Sequence, residues 1–439
     1  MAFFRYLMNQ IRRIFKLKTS DKEKVLNQIL LLGGYGFSNT GDEAQCNETI
    51  TMLSRRYPNI QIKVLSPNPN YTMSQHNCYT GNASRVSFYN MGYPNDSFSG
   101  RFGIGKKLGF LINAFWVLIN AYFVRSDLPM FFINARKAQL LQDIYESKLV
   151  YFSGGGFLTG DTLSRLWDGI MVSKLAEILG TPVVMSGQTI GLWKNSFNKR
   201  FARWGFNKVK LITVRDDTES LKDLNSIGLC GDKYFATHDD ALFCEKSSGR
   251  LIDDEKYMVI NFHYWGMAGE QRKVCLEKIH NIIKEVLKDK CMNVIFISML
   301  PNNRGCFFEY MKQFPDSRVK FYDYDYDFRK IRNVIANAEY CVTMKHHPII
   351  FAMGENVPSI SLAFSEYYMH KNLGALKQYG QERFCINLEN ENYLEEFRFL
   401  LNEIKNNKPQ IITEIESRKN ILAKRKEKFL DLVDSIIGE

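Results

Sequence analysis

Short apolar segments alternate along most of this chain with longer stretches in which apolar residues recur at helical spacing. Strands are predicted at 27–34, 60–65, 149–152, 182–186 and 211–214, and again at 257–262, 293–299, 340–343 and 359–362. Helical patterns lie between them, as at 41–56 and 270–288. Strands that alternate with helices form parallel sheets through right-handed crossovers. The sequence therefore predicts an α/β fold.

The length of the chain sets the number of domains that this alternation can build. With 439 residues, two domains are expected. Polar residues and a glycine interrupt the apolar pattern near 243–256. We therefore expect two doubly wound, Rossmann-like domains that face each other across a cleft. They are predicted to cover 26–245 and 255–390, followed by C-terminal helices over 391–439.

Composition excludes several classes of protein. Hydrophobic residues make up 45% and charged residues 24% of the chain, which excludes a disordered tail or a small disulfide scaffold. The nine cysteines show neither C-x-x-C pairs nor zinc-ligand spacing, which predicts free thiols in the cytoplasm and no metal site. A net charge of +11 suits an anionic partner. This charge is spread along the chain without a nucleic-acid-binding motif, so we expect no nucleic acid partner.

Two segments suggest contact with a membrane. Residues 1–25 are basic and amphipathic, typical either of a helix on anionic lipid or of a docked first helix. Residues 108–124 are strongly apolar but short for a membrane crossing. They fit a core helix, a helix that dips into one leaflet, or a span. The first two predict a cytoplasmic protein, peripheral to the inner face of the plasma membrane.

Unusual residues follow the predicted strands, where parallel sheets bind ligands. The glycine-rich loop 33–44 leads into a helix, whose first N–H groups can bind an anion. Asn39, Gly41 and Asp42 in this loop are candidate site residues. Asp42 and Glu43 could also simply complement the helix dipole.

Two further glycine-containing turns follow apolar strands. Gly154, Gly155 and Gly156 would let the backbone approach a ligand closely, or form a flexible connection. Gln188 lies in the turn 186–192, which could also be an ordinary strand-to-helix connection.

Cationic residues end two more strands. Arg215 could clamp a carboxylate or phosphate, or form a surface ion pair with the aspartates that follow it. Lys345, His346 and His347 place a proton carrier beside a phosphate-binding cation. Adjacent histidines rarely face one ligand together, so we expect one of them to be structural.

Taken in order, these motifs resemble the polysaccharide pyruvyltransferase family from Ile29 to Gly380. The resemblance implies a fold similar to the GT-B glycosyltransferases. It also implies transfer of a pyruvyl group from phosphoenolpyruvate (PEP) to a sugar, which forms a ketal and releases phosphate without a cofactor. Arg215 and His347 would be the PEP-binding or catalytic pair. Lys345 stands where the family usually has arginine, and lysine keeps the charge but loses the planar fork.

The chemistry of this reaction suggests a role for each candidate. Arg215 and Lys345 would hold the anionic groups of PEP, His347 would donate a proton or bind phosphate, and Asp42 would act as base with help from Asn39. The expected acceptor is a lipid-linked or polymeric saccharide of a capsule or exopolysaccharide. Two alternatives remain at this stage: a GT-B glycosyltransferase that uses a nucleotide sugar, and a non-catalytic protein that binds glycans or scaffolds a membrane assembly.

Overall fold

The computed structural model describes residues 27–82, 86, 104–253, 256–264 and 266–438. The predicted basic segment 1–25 lies outside these ranges. Two parallel sheets, each with helices on its faces, form the described part of the chain. The predicted α/β fold is therefore confirmed.

The first sheet has eight strands in the order β3-β2-β1-β4-β6-β7-β8, with β5 beside β6, and every pair is parallel. The strands are β1 Gln28–Leu32, β2 Gln61–Ser66, β3 Tyr79–Asn82, β4 Ser147–Phe152, β5 Gly155–Thr159, β6 Val183–Gly191, β7 Leu211–Val214 and β8 Tyr234–Ala236. The strand order reverses between β1 and β4, which opens a crevice at their carboxyl ends.

The second sheet has six parallel strands in the order β11-β10-β9-β12-β13-β14. The strands are β9 Tyr257–Asn261, β10 Asn293–Phe296, β11 Val319–Phe321, β12 Cys341–Thr343, β13 Ser359–Ala363 and β14 Cys385–Asn387. Here the order reverses between β9 and β12. Both sheets thus follow the doubly wound order of dinucleotide-binding folds.

Thirteen α-helices lie in the described ranges, and most of them connect successive strands. They are α1 Thr40–Arg56, α2 Pro69–His76, α3 Ile104–Arg125, α4 Ala135–Tyr145, α5 Leu163–Leu179, α6 Ser196–Phe206, α7 Glu219–Ser226, α8 Glu270–Val286, α9 Arg304–Gln313, α10 Phe328–Ala336, α11 His346–Gly354, α12 Glu366–Lys377 and α13 Tyr393–Gly438.

Strand β6 corrects one prediction from the sequence. The strand was expected to end near Gly187, but it continues to Gly191. Gly187 has a φ of +51°, and the pairing with β7 shifts register between Met185 and Gln188. Such a bulge bends a strand without ending it. The predicted turn at 186–192 is therefore mostly strand.

Helix α3 contains the apolar segment 108–124. Phe110, Val117 and Ala121 on one face are buried in the core of the first half of the chain, which contains β1 to β8 (the second half contains β9 to β14). On the opposite side, Leu111 and Ile112 are 55% and 53% exposed. Within the described part of the chain, no helix is long and apolar enough to cross a membrane, which contradicts the spanning interpretation of this segment. One face of the helix is a core face, as the first interpretation predicts.

The C-terminal helix α13 connects the two halves. It bends at Asn407, whose φ and ψ are not helical, just before Pro409. Before the bend it packs on the second half, whereas its last turns bury Phe429 and Val433 among the strands of the first half. Asp434 accepts hydrogen bonds from Nε of Arg56 at 2.9 Å and from the hydroxyl of Tyr57 at 2.5 Å. The end of the chain therefore belongs to the first half.

Candidate active site

The carboxyl ends of both sheets face one cavity of about 210 Å³. It is lined by β5, by the loops after β1, β7, β10 and β12, and by α1, α5, α11 and α12. Eight of the eleven predicted site residues line this cavity: Asn39, Asp42, Gly155, Gly156, Arg215, Lys345, His346 and His347. Residues more than 300 positions apart in the sequence, such as Asp42 and His347, thus meet where both strand orders reverse.

Asp239 connects a side chain of the first half with one of the second half. Its Oδ2 accepts hydrogen bonds from Nη1 of Arg215 at 2.6 Å and from Nε2 of His346 at 3.1 Å. Its Oδ1 accepts one from Gln45 at 2.9 Å. Burial alone would raise the pKa of Asp239, but Arg215 and His346 outweigh it and hold the pKa well below its usual range. An ionised carboxylate therefore fixes one side chain from each half.

Arg215 is oriented by this contact and by a second one. Its Nε donates to Oγ1 of Thr189 at 2.7 Å. A Cβ atom at Gly156 would lie 3.3 Å from Nη2 of Arg215. Because glycine has no side chain, the space beside this nitrogen stays open. The neighbouring Asp216 instead accepts a hydrogen bond from the backbone N–H of Ser220 at 2.8 Å. The surface ion pair considered from the sequence is therefore wrong, since Arg215 is buried and pairs with Asp239.

The two histidines occupy different environments at the start of α11. Burial and the nearby charge of Arg215 lower the pKa of His346 to about 4, and its Nε2 is bound to Asp239. His347 packs on Gly41, where a Cβ atom would lie 2.0 Å from Cγ of the imidazole. Its buried Nε2 has no hydrogen-bond partner among the described residues. His346 is therefore held within the protein, whereas Nε2 of His347 is available to a ligand.

The protonation of His347 depends on its surroundings. Burial lowers its pKa well below the usual value against the opposing charge of Asp239, and Arg215 and Lys371 lower it further. In this environment the imidazole is therefore neutral at pH 7. A bound anion would raise its pKa and allow it to carry a proton.

Asp42 faces the same cavity from the first turn of α1. Its Oδ2 accepts a hydrogen bond from Nδ2 of Asn39 at 2.7 Å. Burial raises its pKa to about 6, against the opposing charges of Arg165 and Lys371. A carboxyl group with this pKa can accept a proton near neutral pH. Asp42 therefore has the environment of a general base.

Glu43 beside it has a different task. Its two oxygens accept hydrogen bonds from the backbone of Gly36 and from Nε2 of His76, each at 2.8 Å. The side chain points into the protein and holds the glycine loop in place. It therefore does more than complement the helix dipole.

Backbone contacts close the loop against the second half. The N–H of Thr40 donates to the carbonyl oxygen of Met299 at 3.1 Å. The hydroxyl of Tyr324 lies 2.9 Å from Oγ1 of Thr40 and also bonds to Ser298. The start of α1, with Gly41 and Asp42, is thereby fixed to the end of β10.

Three predicted residues lie behind the cavity wall. Gly41 contacts His347, as described. The N–H of Gly154 donates to Asp240 at 2.7 Å, and Nε2 of Gln188 donates to the carbonyl oxygens of Ser186 and Ser153 at 3.0 and 2.5 Å. The structure therefore gives Gly154 and Gln188 contacts within the protein and does not bring them to the cavity.

The cavity also contains Arg165, Tyr368 and Lys371, which were not among the predicted site residues. The guanidinium of Arg165 lies 5.4 Å from the centre of the Phe37 ring. Burial and the charge of Arg215 lower the pKa of Lys371 to about 8. Burial and the charge of Lys371 lower the pKa of Lys345 to the same value. Four cations therefore share one cavity, which suits an anionic ligand.

A metal site does not appear in the described ranges. There, no three His, Cys, Asp or Glu residues are grouped so that they could hold a metal ion.

The fold is that of two-domain, GT-B-like enzymes. UDP-GlcNAc 2-epimerase from Neisseria meningitidis, bound to UDP-GlcNAc, is 13% identical with a TM-score of 0.53, covering 91% of this chain and 100% of that one. MnaA from S. aureus with UDP is 10% identical, with a TM-score of 0.57 and coverages of 94% and 98%. A UDP-forming trehalose-phosphate synthase from Burkholderia xenovorans is 11% identical, with a TM-score of 0.55 and coverages of 94% and 99%.

Family membership is shown by the amino-acid sequence. The polysaccharide pyruvyl transferase family matches residues 39–366, about three quarters of the chain. No curated protein matches the chain significantly. The chain belongs to the polysaccharide pyruvyl transferase family, as the motifs predicted, and is therefore a pyruvyl transferase with a saccharide acceptor.

The contact between Gly41 and His347 predicts the effect of a single methyl group. Gly41→Ala places a Cβ atom where the imidazole lies, so we expect a loss of about 1–3 kcal/mol in the free energy of unfolding. Gly305→Ala is the control, since nothing lies within 4 Å of its added Cβ and it is also helical. Urea denaturation of both variants measures the difference. Equal stability of the two variants would contradict the contact.

The environment of Asp42 predicts a pH-dependent gain in stability. Its pKa is about 6 in the folded protein and 3.8 ordinarily, so the folded state binds this proton more tightly. The free energy of unfolding therefore falls as pH rises between these values. Asp42→Asn should be more stable than wild type at pH 8, by on the order of 1–3 kcal/mol, and equal to it below pH 4.

The exposed Asp217→Asn serves as the control for this measurement and should change the free energy of unfolding at pH 8 by less than about 0.5 kcal/mol. If Asp42→Asn destabilises the protein at pH 8, the carboxylate is stabilised in the cavity and the raised pKa is wrong.

Proposed function

We propose that this enzyme transfers a pyruvyl group from PEP to two hydroxyls of a lipid-linked saccharide, a precursor of a capsule or exopolysaccharide. The observation that carries the proposal is the cavity between the sheets, where four cations surround an unpartnered nitrogen of His347 and the carboxylate of Asp42. PEP carries a phosphate and a carboxylate on one small carbon skeleton. A cavity that serves it needs several cations close together and groups that move protons.

The size of the cavity favours PEP over a nucleotide sugar. Its volume of about 210 Å³ lies below the roughly 300–1,000 Å³ of typical ligand pockets. A nucleoside diphosphate sugar is several times larger than PEP. Pyruvyl transfer is therefore better supported than the alternative of a glycosyltransferase.

The reaction balances as follows. Protonation of the methylene carbon of PEP makes its central carbon electrophilic, and one sugar hydroxyl forms a bond to that carbon. The bond between this carbon and the phosphate oxygen then breaks, and a second hydroxyl takes the place of phosphate. Of the two hydroxyl protons released, one replaces the proton given to the methyl group and the other leaves with phosphate. Both oxygens of the ketal come from the sugar.

The residues of the cavity can divide these steps. Arg215 would bind the donor through Nη2, the nitrogen that faces Gly156. Binding of the anion would raise the pKa of His347, which would then protonate the methylene carbon. Asp42, with a pKa of about 6, would accept a proton from a sugar hydroxyl.

Phosphate release tests this proposal. The purified enzyme with PEP and a lipid-linked oligosaccharide extract should release phosphate, and release should require the extract. His347→Ala should lower the rate by about 10²- to 10⁴-fold, because it removes a positioned acid. Lys222→Ala is the control, since this lysine is exposed on the surface of the first half, and it should retain the wild-type rate.

If wild type releases no phosphate from PEP, and a nucleotide sugar but not PEP raises its Tm, the donor is a nucleotide sugar. A wild-type rate in His347→Ala would reject the role of that residue alone.

We also propose that the enzyme lies on an anionic membrane surface, where a lipid-linked acceptor is found. The exposed side of α3 presents Ile112 and, one helical turn later, Trp116. The centres of the Trp116 and Phe132 rings lie 6.3 Å apart. Phe132 itself is 85% exposed. Exposed aliphatic and aromatic side chains are typical of surfaces that enter the lipid headgroup region, and the net charge of +11 favours anionic lipid.

Sedimentation with vesicles that contain anionic lipid tests this surface. Phe132→Asp should lower the bound fraction, because it adds a negative charge and removes an apolar side chain. Phe399→Asp is the control, since Phe399 is 68% exposed on α13, away from α3. Removing residues 1–18 should also lower binding. Unchanged binding of Phe132→Asp would exclude this side of α3 as the contact.

A further inference from the structure

Four cations line the cavity: two arginines from the first half and two lysines from the second. Arg165 and Arg215 come from the first half, whereas Lys345 and Lys371 come from the second. Arg215 already uses Nη1 for Asp239 and Nε for Thr189. It therefore presents only part of its guanidinium to a ligand and cannot by itself bind both anionic groups of the donor.

Lys371 is held beside Lys345 by the residue that follows it. Nδ2 of Asn372 donates to the carbonyl oxygen of Met344 at 3.2 Å, and Asn372 is fully buried. This bond attaches α12 to the loop between β12 and α11. The loop ends at Lys345, so both lysines enter the cavity from one side.

The start of α11 lies at the same place. Lys345 is its N-cap, and the Lys345 side chain makes no capping hydrogen bond with the helix. The first N–H groups of a helix attract anions, and phosphate in particular. Two lysines beside this helix start therefore form a subsite that suits a group with two negative charges.

The electrostatic repulsion between these buried cations favours the binding of an anion between them. Burial, together with Lys371 for Lys345 and with Arg215 for Lys371, lowers both pKa values to about 8. Asp42 and Asp239 oppose the shift of Lys371 only in part. A dianion between the ammonium groups would relieve this repulsion.

We propose that Lys371, together with Lys345, binds the phosphate group of the donor. This inference rests on the proposed function for the identity of the donor. It assigns the phosphate to the second half and leaves the carboxylate to Arg215 in the first half.

Kinetics with PEP as the varied substrate test the assignment. Lys371→Met should raise the KM for PEP by about 10- to 100-fold, as expected for loss of a hydrogen bond to a charged group. Lys371→Arg keeps the positive charge, so its KM should lie close to that of wild type. Lys377→Met is the matched control, because Lys377 is exposed on the last turn of the same helix, and its KM should equal that of wild type. An unchanged KM in Lys371→Met would overturn the proposal.

Calorimetry separates phosphate from carboxylate and needs no turnover. Inorganic phosphate should bind wild type and Lys371→Arg but bind Lys371→Met at least tenfold more weakly, whereas pyruvate should bind all three equally. If Lys371→Met weakens pyruvate and not phosphate, Lys371 belongs to the carboxylate and the proposal is wrong. If phosphate binding follows Lys371 while PEP is not turned over, the subsite stands and the proposed function fails.

Discussion

The hydrogen bonds of Asp239 hold the two halves of the site in one arrangement. This buried carboxylate accepts from Arg215 of the first half and from His346 of the second. Removal of one partner from a buried ion pair typically costs about 3–5 kcal/mol, because the other charge is left without compensation. The position of Arg215 in the cavity, and that of α11 with its histidines, therefore depend on a residue that does not line the cavity itself.

Topology explains why so many unusual residues meet at this point. Each sheet reverses its strand order once, between β1 and β4 in the first and between β9 and β12 in the second. The two crevices face each other, so loops that are distant in the sequence line one cavity. Contacts such as Thr40 with Met299, and Gly41 with His347, close the interface without a covalent link. Helix α13 reinforces it by packing on both halves.

The sequence predicted the part of the site that follows strands directly. Asn39, Asp42, Arg215 and the run from Lys345 to His347 are marked by a preceding apolar segment, and all of them line the cavity. Lys371 could not be found in this way, because it lies inside a helix whose orientation depends on the bond from Asn372 to Met344. Asp239 and Arg165 likewise depend on tertiary packing. Gln188 was expected in a turn after the strand, but β6 continues past Gly187 through a bulge, and Gln188 lies inside the strand.

The most direct test of a PEP-dependent pyruvyl transferase is the product itself. PEP labelled at its methylene carbon is incubated with the enzyme and a lipid-linked saccharide extract, and the saccharide is analysed by NMR. If the enzyme transfers the pyruvyl group of PEP, the label appears as a methyl group on a ketal carbon that bears two sugar oxygens. Label that remains in PEP, or that appears only as free pyruvate, would contradict it.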